Sequence, residues 1–383
     1  MVVVSGGRVA GVVTDRTPDL ALRGVLLPGL VNAHAHTEYG PSFADLATAG
    51  LPFPQWIGEL SARRRSFPAD GWAAEAAGSA AAMLASGTTC AADVVTHGPG
   101  IRALAAAGLA GVSYVEAVGA DDAVWDSHER ARVTELLTAD PGAARSLGIS
   151  PHTLYTLGTR VFRALVALAG DLGLRLHPHV AETAEEVLYV AQGEGPFRLA
   201  MERFGLTMEL AGVGSARTPI GELAELGALG AGTHVAHGVH VDAADRALLR
   251  ERGVAVALCP RSNAVLGAGT APVAAYLREG NRICVGTDSL SSSPSLDLLD
   301  DVRALRDLAR AQGYDAPDLD ARLVAAATAG GAAAMGLADV GRLRRGARAD
   351  LVLVEGPASD DPHATVVGGA ASAVWLAGER IGA

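Results

Sequence analysis

The sequence is poor in the residues that mark several classes of protein. The chain of 383 residues has three cysteines, Cys90, Cys259 and Cys284, which are scattered and form no C-x-x-C pair. We therefore expect neither a disulfide framework nor a structural zinc knuckle, which fits a reduced, cytoplasmic setting. Aromatic residues make up 4% of the chain and hydrophobic residues 49%, so small side chains, mostly alanine, are expected to fill the core.

Long apolar runs and clusters of basic residues are also scarce. No uninterrupted apolar stretch reaches the roughly 18 residues of a membrane span, and the N-terminus lacks the pattern of a signal peptide. The formal net charge of −11 argues against a nucleic-acid partner, and no basic block indicates an anionic membrane surface. The expected partner is a small-molecule substrate, and a homodimer is left open.

The central part of the chain alternates between two kinds of segment. Ala/Leu/Arg-rich stretches predict helices at about 70–86, 101–107, 129–138, 160–172, 184–203, 219–226, 243–252, 296–312 and 319–335. Short β-branched stretches predict strands at 88–95, 110–115, 174–179, 233–237, 254–258 and 282–286. This alternation favours an α/β fold with a parallel sheet, and about eight such units favour a closed (β/α)8 TIM barrel.

The two ends of the chain differ from the centre. Residues 1–27 and 339–383 contain short strand-like pieces and Gly-rich turns, too few at either end to bury a sheet alone. We predict that they pair into one small β-sandwich domain beside a barrel formed by residues 28–338. Residues 356–370 are predicted to be an exposed loop.

Two histidines with i, i+2 spacing follow the first apolar run of the centre. On a strand, His34 and His36 would point to the same face, as two ligands of one metal would. A pair of packed core histidines is the alternative for an isolated H-x-H. Three more polar clusters downstream, each ending an apolar run, favour the metal.

The second cluster contains His177, His179 and Glu182. His179 would end a strand, and a carboxylate three residues later would lie near a metal-activated water, where hydrolysis or deamination needs an acid or base. For His177 a packed core position is the preferred interpretation. His234 and His240 flank the next candidate, His237, and have no assigned role.

The fourth cluster is Gly286-Thr287-Asp288 after an apolar strand. Asp288 is placed to act as an oxygen ligand or as a base for the nucleophile. Capping of the following helix is the alternative role.

The order H-x-H, H-x-x-E, His and G-T-D resembles the amidohydrolase superfamily, in particular its mononuclear-metal nucleoside deaminase branch. The resemblance covers nearly the whole chain and includes "PGLVNAHAH", "SGTTCAADV", "HVAET", "VAHGVHV", "GTDS" and "GRLRRGARADLVLV". It implies a barrel flanked by a β-sandwich built from both chain ends. The carbamylated lysine of the two-metal branch has no counterpart, because the chain contains no lysine.

The resemblance also implies roles for individual residues. His34, His36, His179 and Asp288 would hold one divalent metal, zinc or Fe²⁺, which lowers the pKa of a bound water towards ~7 and so supplies hydroxide. His237 would hydrogen-bond the attacking water, with Asp288 taking its proton. Glu182 would protonate the ring nitrogen beside the reacting carbon.

The segment after the first histidines suggests a substrate. "NAHAHTEY" and "LPFPQWIGELSARRRSF" resemble aminodeoxyfutalosine deaminases of menaquinone biosynthesis, whose substrate is an adenine nucleoside that carries a benzoate. The predicted substrate contacts are His152, Glu38, Trp56, Arg64 and Arg65, and the last two could pair with the benzoate. The alternatives are an adenosine, methylthioadenosine or adenosylhomocysteine deaminase, an s-triazine or pterin amidohydrolase, and a cyclic-amide hydrolase.

Overall fold

The strands of the computed structural model, which describes residues 1–15 and 17–382, fall at the two chain ends and at intervals through the centre. In chain order they are β1 (Val2–Ser5), β2 (Arg8–Val12), β3 (Val25–Pro28), β4 (Leu30–Ala35), β5 (Thr88–Val95), β6 (Ala110–Ala117), β7 (Arg145–Pro151), β8 (His179–Val180), β9 (His234–His237), β10 (Ala255–Leu258), β11 (Arg282–Val285), β12 (Leu351–Glu355), β13 (Ala370–Leu376) and β14 (Glu379–Ile381).

The helices lie mainly between the central strands. The α-helices are Phe53–Ser66, Trp72–Ala85, Gly98–Ala106, Asp122–Val124, Arg130–Leu136, Thr159–Leu172, Ala184–Gln192, Pro196–Arg203, Pro219–Glu225, Ala243–Glu251, Pro260–Val265, Val273–Glu279, Leu298–Ala311, Leu319–Ala325, Gly331–Ala334 and Pro362–Val367. Pro41–Thr48 forms a 3-10 helix, and Trp125–Glu129 and Ala326–Gly330 form π-helical turns. None of the described helices has the length and apolarity needed to cross a lipid bilayer.

Two four-stranded parallel sheets form the centre of the molecule. Their strand orders are β4-β5-β6-β7 and β11-β10-β9-β8. Every residue of β5 and β6 is buried, because helices cover the outer face while side chains fill the inner one. The predicted α/β architecture with parallel strands is confirmed.

The two parallel sheets also contact each other at both edges. Leu176 forms parallel bridges to Ile149 of β7 and to Thr233 just before β9. At the other edge, the backbone N–H groups of Thr287 and Asp288 donate to the carbonyl oxygen of His34 at 3.1 Å each. The carboxyl ends of strands from both sheets are therefore brought to one face.

The two chain ends pair with each other. β3 runs antiparallel to β12, and β12, β13 and β14 complete a four-stranded sheet. The hairpin of β1 and β2 joins the C-terminal part through a bridge between Arg8 and Arg348. The packing of these strands as a sandwich, and the boundaries after residues 27 and 338, stay predictions.

Several predicted elements differ from the structure. The helix predicted at 184–203 is two helices, because Gly193 and Gly195 have left-handed φ values of 73° and 99° and Pro196 begins the second helix. The strand predicted at 174–179 is reduced to a bridge at Leu176 and the short β8, since Pro178 has no N–H to donate. Residues 356–370 include the helix Pro362–Val367 rather than only a loop.

The strand β7 and several short helices are missing from the sequence-based prediction. β7, with the sequence RSLGISP, has serines and a glycine between its apolar residues, which weakens the strand pattern. The helices Pro260–Val265 and Val273–Glu279 are short and lie in a stretch with several glycines and prolines.

The close approach of β5 and β6 predicts a position where only glycine fits. Gly111 has φ of 135° and pairs with Ala91, whose carbonyl oxygen would overlap an added β-carbon. Gly111→Ala should therefore lower the free energy of unfolding by roughly 2–4 kcal/mol. Chemical denaturation of the variant measures this change.

The matched control is a glycine with free space. Gly58 lies within the helix Phe53–Ser66 and is exposed. A β-carbon added at this position would point into open space. Gly58→Ala should raise stability by roughly 0.5–1 kcal/mol through helix propensity. Equal stability of both variants would contradict the steric explanation.

Candidate metal centre and its cavity

Five predicted site residues lie at the carboxyl ends of parallel strands. His34 belongs to β4 and His36 follows it, His179 opens β8, His237 ends β9, and Asp288 follows β11 by three residues. All five are buried, with exposed fractions of 0–8%. In α/β proteins of this kind, the strand ends are where side chains meet for chemistry.

The side chains converge. Ligand atoms of His34, His36 and His179 all lie within 4.8 Å of one another, as do those of His34, His237 and Asp288. The Nε2 atoms of His36 and His179 are 3.0 Å apart. Asp288 Oδ1 lies 3.6 Å from His34 Nε2 and 3.8 Å from His36 Nε2. Three imidazoles and a carboxylate thus face one point.

The chemistry of this donor set fits a divalent cation. His34 Nε2 is buried and has no hydrogen-bond partner among the described residues, which is costly for a polar atom that binds nothing. Burial lowers the pKa of His34 and His179 well below the ordinary value, and neighbouring histidines add to this effect. The neutral imidazoles keep a lone pair, and such nitrogen and oxygen ligands suit zinc or Fe²⁺.

Hydrogen bonds behind the histidines fix which nitrogen carries the proton. His177 Nδ1 lies 3.1 Å from the carbonyl oxygen of His234, to which it can only donate. His177 Nε2 must then accept from His34 Nδ1, which is 2.8 Å away. This relay leaves His34 Nε2 unprotonated and turned to the centre, so His177, which we predicted to be a packed core residue, also orients a ligand.

Asp288 and His179 are oriented in the same way. The Asp288 Oδ2 atom accepts from the hydroxyls of Ser262 and Ser292 at 2.7 and 2.9 Å, which leaves Oδ1 towards the imidazoles. His179 Nδ1 donates to the carbonyl oxygen of His152 at 3.2 Å, so its Nε2 keeps the lone pair. The predicted alternative of a helix cap does not describe Asp288, because Asp297 caps the following helix.

Glu182 and His237 form a second group at the same strand ends. Glu182 Oε1 lies 3.5 Å from His237 Nδ1, and the Asn263 amide is 3.2 Å from the same nitrogen. Burial raises the pKa of Glu182 well above its ordinary value, and the charges of Asp288 and Glu186 raise it further. Burial lowers the pKa of His237 to about 4. Burial therefore favours the neutral form of both groups, a carboxylic acid beside an imidazole.

The backbone carries strain at these positions. Ala181, His237 and Asp288 adopt left-handed φ values of 53°, 72° and 61°, which are unfavourable for residues other than glycine. The buried carboxyl group of Glu186 accepts from the N–H groups of Ala181 and Glu182 at 2.9 Å each and holds the first of these turns. Backbone strain of this kind is common at functional sites, where a left-handed turn points a side chain in a direction that a regular strand does not allow.

The metal-ligand cluster opens into a cavity of about 690 Å³. Four of the predicted substrate contacts, His152, Trp56, Arg64 and Arg65, line it. The apolar part of its wall consists of Phe53, Ile57, Leu60, Val118, Val124, Met201, Phe204, Leu206 and Leu266. The indole N–H of Trp56 donates to the carbonyl oxygen of Ser291 at 2.8 Å and so anchors the helix Phe53–Ser66 over the site.

The three consecutive arginines have different environments. Arg63 pairs with Asp45 and lies outside the cavity lining. Arg64 is half-buried over the ring of Tyr39, 5.5 Å from its centroid, and forms no ion pair within residues 1–15 and 17–382. Arg65 is exposed. Arg64 is therefore the cation of the three that is best placed to meet an anionic group in the cavity.

The position of Glu38 differs from the sequence-based prediction of a substrate contact. Its side chain is buried outside the cavity lining and accepts from the N–H groups of Thr96 and His97 at 2.9–3.1 Å. β4 ends at Ala35, so the alternation of faces that relates His34 to His36 does not extend to Glu38. Glu38 instead ties the end of β4 to the end of β5.

Sequence reasoning also missed residues of the cavity. Glu116 ends an apolar strand, the same pattern that identified His237, and it lines the cavity with 1% of its surface exposed. Tyr39, Tyr155 and His97 line it as well. The aromatic residues carry no local pattern that would separate them from core residues.

Comparison with known proteins shows the family. A model of the amidohydrolase family matches residues 25–380, so the chain belongs to that family. It is 33% identical over 353 residues to a 5-methylthioadenosine/S-adenosylhomocysteine deaminase of Haloarcula marismortui, covering 89% of this chain and 74% of the relative. A Teredinibacter turnerae enzyme of the same name is 30% identical and is matched over 93% and 79% of the two chains.

Solved structures of other proteins have the same fold. An adenosine deaminase from Xanthomonas campestris with bound zinc has a TM-score of 0.80 and 27% identity, over 99% of this chain and 87% of that one. Helicobacter pylori aminofutalosine deaminase has a TM-score of 0.77 at 22% identity, over 94% and 86%, which shows a shared fold. The protein is thus a hydrolytic aminohydrolase of the amidohydrolase family.

The converging donor set predicts a loss of metal when one imidazole is removed. His36→Ala leaves the cluster with two imidazoles and a carboxylate, and the metal content of the purified protein should fall from about one equivalent to a small fraction. Elemental analysis after dialysis measures it.

His240→Ala is the matched control, because this histidine bonds the carbonyl oxygen of Ala268 and lies outside the cavity lining. It should retain the metal. An unchanged metal content in His36→Ala would remove His36 from the ligand set.

Proposed function

We propose that the protein is a metal-dependent deaminase that replaces the 6-amino group of an adenine nucleoside with oxygen and releases ammonia. The observation that carries the proposal is the buried acid Glu182, 3.5 Å from His237 and beside the converging histidines and Asp288. The cavity of about 690 Å³ has room for a nucleoside. The names of the curated relatives support the same class of substrate.

The residues divide the chemistry between them. His34, His36, His179 and Asp288 would hold one divalent ion, zinc or Fe²⁺, which when bound lowers the pKa of a water towards ~7. His237 hydrogen-bonds the attacking water, and Asp288 accepts its proton. The water oxygen forms a bond to C6 of the ring as the bond from C6 to the amino group breaks.

Glu182 is the proton donor of this scheme. Burial raises the pKa of this carboxyl group and so favours its protonated form, which can donate to N1 of the purine and make the adjacent C6 electron-poor. The proton that Asp288 takes from the water then goes to the leaving amine, which departs as ammonia. The second water proton leaves the C6 hydroxyl as the C6 carbonyl forms and returns to Glu182. The neutral state of His237 lets it accept from or donate to the water without adding a charge.

The complete architecture is part of the proposal. We infer that the eight strands β4 to β11 form a closed (β/α)8 barrel, which the bonds at both junctions of the parallel sheets support. The paired chain ends would form the β-sandwich, with domain boundaries after residues 27 and 338. A closed barrel explains why strands from both sheets deliver ligands to one face.

Aminodeoxyfutalosine, a nucleoside of menaquinone biosynthesis, is the first candidate substrate. Its benzoate needs an apolar wall with a cation at the end, and the apolar residues of the helix Phe53–Ser66 precede Arg64 and Arg65 in this way. Arg64 has no acidic partner within the described chain, so a ligand carboxylate could pair with it bidentately.

Methylthioadenosine and adenosylhomocysteine form the second candidate. Eight curated relatives with this name are 29–34% identical to the chain. The apolar wall suits a thioether, and Arg64 suits the carboxylate of adenosylhomocysteine. Methylthioadenosine carries no anionic group, so its rate distinguishes the contribution of Arg64 from that of the rest of the cavity.

The acid role of Glu182 predicts a separation of activity from metal binding. Glu182→Gln cannot donate the proton and should lower kcat by about 10²–10⁴-fold while the metal content stays unchanged. Ammonia release and elemental analysis measure the two quantities. Glu185→Gln is the matched control, since Glu185 lies three residues away outside the cavity and should keep full activity. Full activity of Glu182→Gln would discard the acid role.

A substrate panel tests the proposed function itself. Ammonia release from aminodeoxyfutalosine, methylthioadenosine, adenosylhomocysteine, adenosine, a pterin and an s-triazine gives kcat/KM for each. We expect an adenine nucleoside to lead, with aminodeoxyfutalosine at least ten times faster than adenosine. A leading pterin or triazine would overturn the proposal.

The same panel on Arg64→Gln locates the anionic group. The kcat/KM for the carboxylate-bearing nucleosides should fall about 10- to 100-fold, while that for methylthioadenosine should change little. An equal fall for all nucleosides would show that Arg64 shapes the cavity rather than binding an anion.

A further inference from the structure

Glu116 is a buried carboxylate in the cavity wall that the proposed reaction does not use. It lies in β6, has 1% of its surface exposed and lines the cavity. Its Oε2 atom accepts from the Thr96 hydroxyl at 3.0 Å. Its Oε1 atom is buried and has no hydrogen-bond partner in the described part of the chain. An unpaired carboxylate oxygen is costly to bury, which indicates that a ligand completes its bonding.

The surroundings hold this carboxylate in place. The Arg132 guanidinium donates to the backbone carbonyl oxygens of Thr96, at the end of β5, and of Glu116 in β6. Glu129 accepts from the same guanidinium in a bidentate pair at 2.7 and 2.8 Å. The two strand ends are thus tied together, and Glu116 is positioned before a ligand arrives, as a binding group should be.

His152 faces the free oxygen of Glu116. Its Nε2 atom lies 3.9 Å from Glu116 Oε1, too far for a direct hydrogen bond. On its other side, His152 Nδ1 is 2.8 Å from the Thr156 hydroxyl, which is 2.9 Å from the Thr153 hydroxyl. In the tautomer in which Nδ1 accepts from the Thr156 hydroxyl, the proton is on Nε2. A donor and an acceptor then face each other across a gap that one hydroxyl can bridge.

The position of Glu116 limits which part of a nucleoside can fill this gap. The reacting groups Glu182 and His237 contact each other. The Glu116 carboxylate instead bonds Thr96 and faces His152, and the ligand atoms of Glu116, His152 and His179 lie within 4.8 Å of one another. The ring nitrogens N1, N3 and N7 of adenine only accept hydrogen bonds. Away from the 6-amino group, the donors of an adenosine unit are its ribose hydroxyls.

We propose that Glu116 accepts a hydrogen bond from a ribose hydroxyl of the substrate while His152 donates to the same oxygen, so that the pair selects ribonucleosides over deoxyribonucleosides. This inference rests on the proposed nucleoside substrate. Glu116 is a specificity-determining residue in this arrangement, because it binds the sugar and takes no part in the proton transfers.

The test compares nucleosides that differ by one hydroxyl. For the best adenine nucleoside of the panel, and for its 2′-deoxy and 3′-deoxy forms, kcat/KM is measured with the unaltered protein and with Glu116→Gln. The unaltered protein should prefer the ribonucleoside to one deoxy form by about 10- to 100-fold, as expected for a lost bond to a charged group. Glu116→Gln should reduce that preference to within about threefold, because the fall in kcat/KM should be largest for the ribonucleoside.

Two further measurements separate the outcomes. Metal content and melting temperature establish that Glu116→Gln is intact, and Glu116→Asp, which withdraws the carboxylate but keeps its charge, should also lose the preference. An equal loss on ribo and deoxy substrates, or an unchanged preference, would overturn the assignment of Glu116 alone. If the unaltered protein deaminates no adenine nucleoside, the proposed function falls, and the sugar contact falls with it.

Discussion

The site depends on the orientation of the His34 Nε2 lone pair, which is fixed by hydrogen bonds on the other side of the imidazole ring. The carbonyl oxygen of His234 can only accept, so His177 must turn its Nδ1–H towards it, and His34 must then donate from Nδ1. The one nitrogen of His34 without a partner is the nitrogen that faces His36, His179 and Asp288. A backbone carbonyl on β9 thereby fixes the protonation of a candidate ligand on β4, and a cation bound at the proposed centre would make the arrangement favourable.

Burial gives neighbouring carboxyl groups different tasks. Glu182 and Asp288 are both buried, but two serine hydroxyls donate to Asp288. Burial and nearby negative charge raise the pKa of Glu182. In the proposed reaction, the environment rather than the residue type separates Asp288, a ligand and proton acceptor, from Glu182, a proton donor, as it does in other enzymes that pair two carboxyl groups.

Part of this site could be predicted from the sequence because strand geometry is local. His34, His36, His179, His237 and Asp288 all lie at or just beyond the carboxyl ends of parallel strands, and these ends meet at one face. The rule fails where the strand stops: Glu38 lies in a turn after Ala35 and bonds Thr96 and His97 instead of facing the cavity. The relay through His177 depends on a contact between residues 143 positions apart, which no local pattern contains.

The two ends of the cavity differ in how their residues are held in place. Close to the cluster, positions are fixed by left-handed turns at Ala181, His237 and Asp288, and the chemistry there allows little variation. Farther out, the helix Phe53–Ser66 presents apolar side chains and Arg64, and it is held by the hydrogen bond from Trp56 to Ser291 and by the pair of Arg63 with Asp45. In the proposed function, this part of the wall can vary with the tail of the substrate without disturbing the bond that is broken. Residues such as Arg64 that would contact the tail then decide specificity, whereas the ligands and Glu182 decide only the class of reaction.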